Sequence, residues 1–313
     1  MPTIKIFSGK ASLELAKKIS NSYGKELGNC TSTTFNDGEI NFSYDENIRG
    51  CDVFIIQATH SPAEYIVELL IMIDAAKRAS SASITVVVPY YGYARQDRKA
   101  RPRVSVVSKL LANLIQASGA SRILTCDLHA GQIQGFFDIP LDHLDASAIF
   151  VPHIRKLKLE NLIIASPDVG GSARAREYAK HFNADIVICD KHRERANEIT
   201  SMQVIGNVEN GNVILVDDMI DTAGTICKAS TILLEKGAKS VRAVCTHGVL
   251  SGEAYENIES SNLHEVIISD TIPMKKESSR IKVLTTANLF AMAIRRIKDN
   301  ESISTLFLDN ENQ

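Results

Sequence analysis

The sequence predicts an α/β protein made of two similar parts, each a mainly parallel sheet flanked by helices. Three observations carry this. Short runs rich in Val and Ile recur along the chain and end in polar or small residues, as strands buried on both faces do. Longer segments between them place apolar residues every three or four positions, the pattern of an amphipathic helix. The two patterns alternate through two cycles, which is how helical crossovers join parallel strands.

In chain order, residues 4–7 read as a strand and 12–23 as a helix, with Ser12 at its N-cap and Gly24 stopping it. Residues 53–57 form a short buried strand, 63–79 a helix, and 83–89 a β-branched strand ended by Pro89. A helix over 104–116 and a strand over 123–127 complete the first cycle. The second cycle has strands at 162–166, 186–190, 213–216 and 241–246, with helices at 172–181 and 226–236. Late strands at 266–269 and 282–284 and a helix at 287–298 follow. The break between the cycles gives domains 1–145 and 146–285, then a helix and tail, 286–313, expected to pack on the first domain.

Of the 313 residues, 44% are apolar and 23% charged, which supplies an ample core. A net charge of −2 argues against a general nucleic-acid footprint. No apolar run reaches membrane-spanning length, and the first residues lack the apolar stretch of a secretory signal. The six cysteines are scattered with no C-x-x-C pair, so they read as reduced thiols of a cytoplasmic protein.

The most informative stretch follows the strand at 213–216. Two carboxylates, Asp217 and Asp218, precede a small-residue loop, Asp221-Thr222-Ala223-Gly224-Thr225, and then a helix. Amide N–H groups and the positive end of a helix dipole suit an anion there. The carboxylates repel an anion but accept hydrogen bonds from hydroxyls. A sugar phosphate meets both demands.

Other polar segments also sit at strand ends, where ligands of such sheets bind. After 83–89, five basic residues fall within residues 95–103, an exposed loop or an electropositive mouth for polyphosphate. Asp127 and His129 follow another strand, as structural residues or as metal or phosphate contacts. Asp168 precedes Gly170-Gly171, a tight turn or a second anion site beside a carboxylate suited to Mg²⁺. Lys191 and Arg193 lie on a mixed-charge segment, an exposed hairpin or a flap carrying cations to a transferring phosphoryl group.

Taken together, the segments Phe35-Asn-Asp-Gly-Glu39, Pro89-Tyr-Tyr-Gly-Tyr-Ala-Arg-Gln-Asp-Arg98, Gln132-Ile-Gln-Gly-Phe-Phe-Asp138, Ser166-Pro-Asp-Val-Gly-Gly171 and Val216-Asp-Asp-Met-Ile-Asp-Thr-Ala-Gly-Thr225 resemble class I ribose-phosphate pyrophosphokinase. The last of these marks the wider superfamily that also contains phosphoribosyltransferases, and the first three are specific. The resemblance implies two phosphoribosyltransferase-like domains. It also implies transfer of the β,γ-diphosphate of ATP to ribose 5-phosphate, giving phosphoribosyl pyrophosphate (PRPP) and AMP for nucleotide biosynthesis.

It assigns Phe35, Asp37, Gly38, Glu39, Arg95, Gln96 and Arg98 to ATP, and His129 and Asp168 to Mg²⁺-ATP. Asp217, Asp218, Asp221, Thr222, Ala223, Gly224 and Thr225, with Arg193, fall to ribose 5-phosphate, and Lys191 and Arg193 to catalysis. A homohexamer with no nucleic-acid or membrane partner is expected. Three departures stand out: His192 and Glu194 in the flap, a 101–108 loop that lacks the family's Pro-Ile pair at its helix start, and Gly248 where the family shows Pro. The family's site for phosphate and ADP lies near residues 101–108, so these departures touch its regulation. Two other readings stand beside this one: a phosphoribosyltransferase, and a non-catalytic homologue that assembles with true synthases.

Overall fold

The structure, a computed structural model, describes residues 2–192 and 201–306; for Lys191, His192, Ser201 and Thr305 it describes the backbone alone. Within this range the chain forms two compact units. One gathers residues 2–145 with 271–273 and 286–306; the other holds the described part of 146–270 with 274–285.

The first unit begins with β1 (Ile4–Ser8) and α1 (Leu13–Tyr23). Gly24 ends α1 at φ +86°, a left-handed conformation that glycine adopts without strain. Ser12 occupies the N-cap position, yet its hydroxyl accepts the Ala58 N–H at 2.8 Å instead of capping the helix. Next come β2 (Cys30–Thr34) and β3 (Ile40–Tyr44), an antiparallel hairpin that the sequence reading missed. Then follow β4 (Asp52–Ile56), α2 (Glu64–Arg78), β5 (Ser83–Val88), α3 (Val107–Ser118), β6 (Arg122–Cys126) and β7 (Leu141–Leu144). The sheet runs β1-β4-β5-β6-β7, parallel throughout, and the hairpin stands apart as its own two-stranded sheet. The β-branched run of β5 is buried along nearly its whole length, as a central parallel strand requires.

The second unit comprises α4 (Ser147–Lys156), β8 (Leu162–Ser166), α5 (Ser172–Phe182), β9 (Asp185–His192), β10 (Ser201–Ile205), β11 (Asn212–Ile220), α6 (Gly224–Glu235), β12 (Ser240–Gly248), α7 (Ala254–Ser260), β13 (Val266–Ser269) and β14 (Ile281–Leu284). Its seven strands run β10-β9-β8-β11-β12-β13-β14, with only β10 antiparallel to its neighbour.

The chain then returns to the first unit as α8 (Ala287–Asp299), which packs on α1. Phe290 and Ile294 are fully buried there, each contributing about 1.5–3 kcal/mol. Lys298 pairs with Asp52 at 2.7 Å, and the Arg295 guanidinium lies 4.9 Å from the Tyr23 ring centroid.

Candidate functional site

The second unit has a topological switch point. From β8 the chain moves to β9 on one side, and from β10 it returns to β11 on the other. Loops leaving the carboxyl ends of β8 and β11 therefore diverge from neighbouring strands, and a crevice opens where ligands bind in open α/β sheets. The β8–β11 pairing ends at Ala165 and Leu215. Beyond it, β11 runs on beside β12 as far as Ile220, so Asp217 and Asp218 lie inside the strand rather than after it.

Asp218 is buried, and its backbone N–H donates to Asp217 Oδ1 at 2.9 Å. Burial first, then the Asp218 charge and a side-chain hydrogen bond to it, then the Asp168 charge, hold the Asp217 carboxyl well above the usual carboxylate range. Two carboxyls packed this closely resist joint ionisation, and hydroxyl donors would relieve the repulsion.

Helix α6 starts at Gly224, two residues earlier than expected, with Ala223 as its N-cap at φ +62° and no side-chain cap. Left-handed backbone on an alanine costs about 1–2 kcal/mol, so the surrounding structure holds it there. Ser251 donates its hydroxyl to Asp221 Oδ1, and its N–H reaches the Asp221 carbonyl at 3.0 Å. Asn257 Nδ2 donates to the Thr222 carbonyl at 3.0 Å. This bracing from the β12–α7 side presents first-turn amides that have no intrahelical acceptor. Thr222 and Gly224 are exposed beside them. Ser251 and Asn257 escaped the sequence reading of the site.

At the end of β8, Asp168 Oδ1 accepts the Gly171 N–H at 3.0 Å, and the Ser166 hydroxyl donates to the Asp168 carbonyl at 2.6 Å. The glycine pair thus orients a carboxylate at the mouth of α5. Lys191 lies at the carboxyl end of β9, where its backbone faces Met202 of β10. Arg193, the other residue of the expected flap, lies outside the described residues, as does Glu194.

In the first unit, Phe35, Asp37, Gly38 and Glu39 form the tip of the β2–β3 hairpin, and all are exposed. The Phe35 N–H donates to the Glu39 carbonyl at 2.8 Å, and Gly38 turns the chain at φ +97°. Asp37 Oδ1 accepts the Glu39 N–H at 3.0 Å. An exposed ring on a closed turn suits stacking on a planar ligand. Arg95, Gln96 and Arg98 lie after β5 and are exposed. Their segment is fastened by the Gln96 N–H to Tyr93 O at 2.9 Å, the Ser108 N–H to Gln96 O at 3.3 Å, and Gln132 Nε2 to Asp97 Oδ2 at 2.8 Å. After β6, Asp127 is buried while His129 is exposed, so only the histidine reaches solvent. Among the described residues no three His, Cys, Asp or Glu side chains cluster as a metal cage.

The sequence model of the N-terminal domain of ribose phosphate pyrophosphokinase matches residues 4–119, and that of the phosphoribosyl synthetase-associated domain matches residues 186–308. The ribose-phosphate pyrophosphokinase of Campylobacter jejuni is 55% identical over 97% of this chain and 99% of that one. That of Porphyromonas gingivalis is 52% identical over 96% and 97%. The crystal structure of phosphoribosylpyrophosphate synthetase from Mycobacterium smegmatis covers 95% of this chain and 99% of its own, with a TM-score of 0.91 and 38% identity. Full-length identity of this order, with one fold over nearly the whole chain, leaves a single reading: the chain is an enzyme and belongs to the ribose-phosphate pyrophosphokinase family.

Proposed function

We propose that the chain transfers the β,γ-diphosphate of Mg²⁺-ATP to the anomeric hydroxyl of ribose 5-phosphate, giving PRPP and AMP. One observation carries the reading: an uncapped helix N-terminus and a carboxylate pair, Asp218 buried and Asp217 partly so, meet at the β8/β11 switch point. A ligand with a phosphate at one end and vicinal hydroxyls at the other satisfies both. The amides and hydroxyls from Asp221 to Thr225 take the 5-phosphate, and Asp217 and Asp218 accept the ribose hydroxyls. Phe35 stacks on adenine, Asp37, Gly38 and Glu39 meet its edge, and Arg95, Gln96 and Arg98 meet the ATP phosphates. These nucleotide-side residues favour making PRPP over consuming it.

The donor chemistry fits a divalent metal held mainly by substrate. Asp168 offers carboxylate oxygen to a hard cation, and the lack of a three-ligand cage among the described residues suits Mg²⁺, which keeps waters and phosphate ligands. The exposed His129 fits better at a phosphate oxygen or a metal-bound water than as a direct Mg²⁺ ligand. When bound, the metal would supply neutralisation of diphosphate charge. The chain's own part is positioning and electrostatics. The anomeric oxygen attacks the β-phosphorus, the bond from that phosphorus to the α,β-bridging oxygen breaks, and Lys191 and Arg193 stabilise the charge on the moving diphosphate. The hydroxyl proton passes to solvent, so no strong base is needed. Six free thiols suit a reducing, cytoplasmic setting.

The test is direct. Purified protein with Mg²⁺, ATP and ribose 5-phosphate should form AMP and PRPP in equal amounts. Lys191→Ala should lower kcat at least about a hundredfold while ribose 5-phosphate still binds. Binding without AMP formation by the unaltered chain would overturn the proposal, as would PRPP consumption with a nucleobase.

A further inference from the structure

We infer that Glu68 is a positioning residue for the nucleotide end of the reaction: it fixes the β2–β3 hairpin that presents Phe35, Asp37 and Glu39. The inference rests on the reading above that the hairpin tip meets ATP.

Glu68 lies in α2 and is 1% exposed. Oε1 accepts the Ser32 hydroxyl of β2 at 2.6 Å. Oε2 accepts the Lys10 backbone N–H at 2.9 Å and Gln57 Nε2 at 2.7 Å. Gln57, itself buried, also accepts the Ala11 N–H at 3.1 Å and donates to the Tyr65 carbonyl at 3.2 Å. One carboxylate thus joins the segment after β1, the segment after β4 and the hairpin. All three of its donors are neutral groups. The fit is close: a β-carbon on Gly9 would lie 2.7 Å from Gln57 Nε2.

The hairpin needs such a tether. It has two strands, makes no ladder with the main sheet, and would be marginal alone. It meets α2 again one helical turn from Glu68, where the Tyr44 hydroxyl donates to the Met72 carbonyl at 2.8 Å. Tyr44 also packs edge-on against Phe7 at 4.6 Å between ring centroids. Ser32 stands three residues from Phe35, so a change in its anchorage is felt at the tip. An apolar side chain in place of Glu68 would leave the Ser32 hydroxyl, the Lys10 N–H and Gln57 Nε2 without this acceptor. A buried network with both carboxylate oxygens engaged holds one geometry.

Ser32→Ala removes the tether alone. We expect the KM for ATP to rise about fivefold, the factor one net hydrogen bond supplies. The KM for ribose 5-phosphate should stay at the value of the unaltered chain, and the unfolding midpoint should fall by no more than about 4 °C, the effect of one hydrogen bond. Ser32→Thr should restore the KM for ATP, and Glu68→Gln should raise it. Thr31→Val deletes the Thr31–Asp45 hydrogen bond of the same hairpin, 2.6 Å and exposed, and should leave the KM for ATP unchanged. A lower midpoint in Ser32→Ala with both KM values unmoved would mean that the network is merely structural and would overturn the inference. Phe35→Ala separates the two levels. A raised KM for ATP in Phe35→Ala but not in Ser32→Ala rejects the role of Glu68 alone. No rise in either rejects the nucleotide reading of the hairpin.

Discussion

Gly92→Ala tests how the arginine-bearing loop is held. Gly92 follows β5 and lies against the segment after β4. A β-carbon there would sit 2.9 Å from the Thr59 carbonyl carbon and closer still to its oxygen. Optimal carbon–carbon separation is about 3.5–4.0 Å, so the two loops must part by more than about half an ångström. Overpacking of this kind costs about 1–3 kcal/mol. The parting also stretches two hydrogen bonds, the Gly92 N–H to Thr59 Oγ1 at 2.7 Å and the Thr59 N–H to the Tyr90 carbonyl at 3.0 Å. Each is worth about 1 kcal/mol, which brings the loss to about 3–5 kcal/mol. Calorimetry should show the first unit melting roughly 6–20 °C lower. Because Arg95 and Gln96 follow within four residues, the KM for ATP should rise while that for ribose 5-phosphate holds. Gly131→Ala is the control: nothing lies within 4 Å of its added carbon, so stability should change by less than about 0.5 kcal/mol. A Gly92→Ala protein with an unshifted midpoint would refute the reasoning.

Two further outcomes follow from the second unit. Burial and the neighbouring carboxylate raise the Asp217 pKa in the folded chain, so its stabilising proton is fully present below the unfolded value and is lost as pH rises through the folded one. Asp217→Asn should therefore raise the unfolding midpoint of the ligand-free protein more at about pH 8 than at about pH 5; a pH-independent gain would contradict the electrostatic origin. Ser251→Ala removes the hydroxyl that braces Asp221 and should weaken ribose 5-phosphate binding about tenfold by calorimetric titration, since hydrogen bonds to charged groups contribute about 1.5–3 kcal/mol; unchanged affinity would show that the loop holds its shape unaided.

Much of the architecture was legible because parallel strands are buried on both faces and so read as unbroken apolar runs, as in β5 and the first half of β11. The same criterion failed where polarity interrupts a strand. β11 appeared to end at Val216 because Asp217 and Asp218 follow, yet its ladder with β12 continues to Gly248. The β2–β3 hairpin escaped because its Thr- and Ser-rich strands bury only alternate side chains, and only partly. Helix α4 escaped because it falls at the break between the two cycles; Pro152 lies inside it.

The sequence by itself determined the alternation of strands and helices, the anion loop from Asp221 to Thr225 and the family resemblance. These rest on local spacing and residue type. The tertiary structure decided what depends on distant partners. It placed α8 on α1 at the other end of the chain, turned Asp127 inward and His129 outward, packed Asp217 against Asp218 and set Glu68 beneath Ser32. Burial and charge coupling arise between segments far apart in sequence, and no local pattern encodes them.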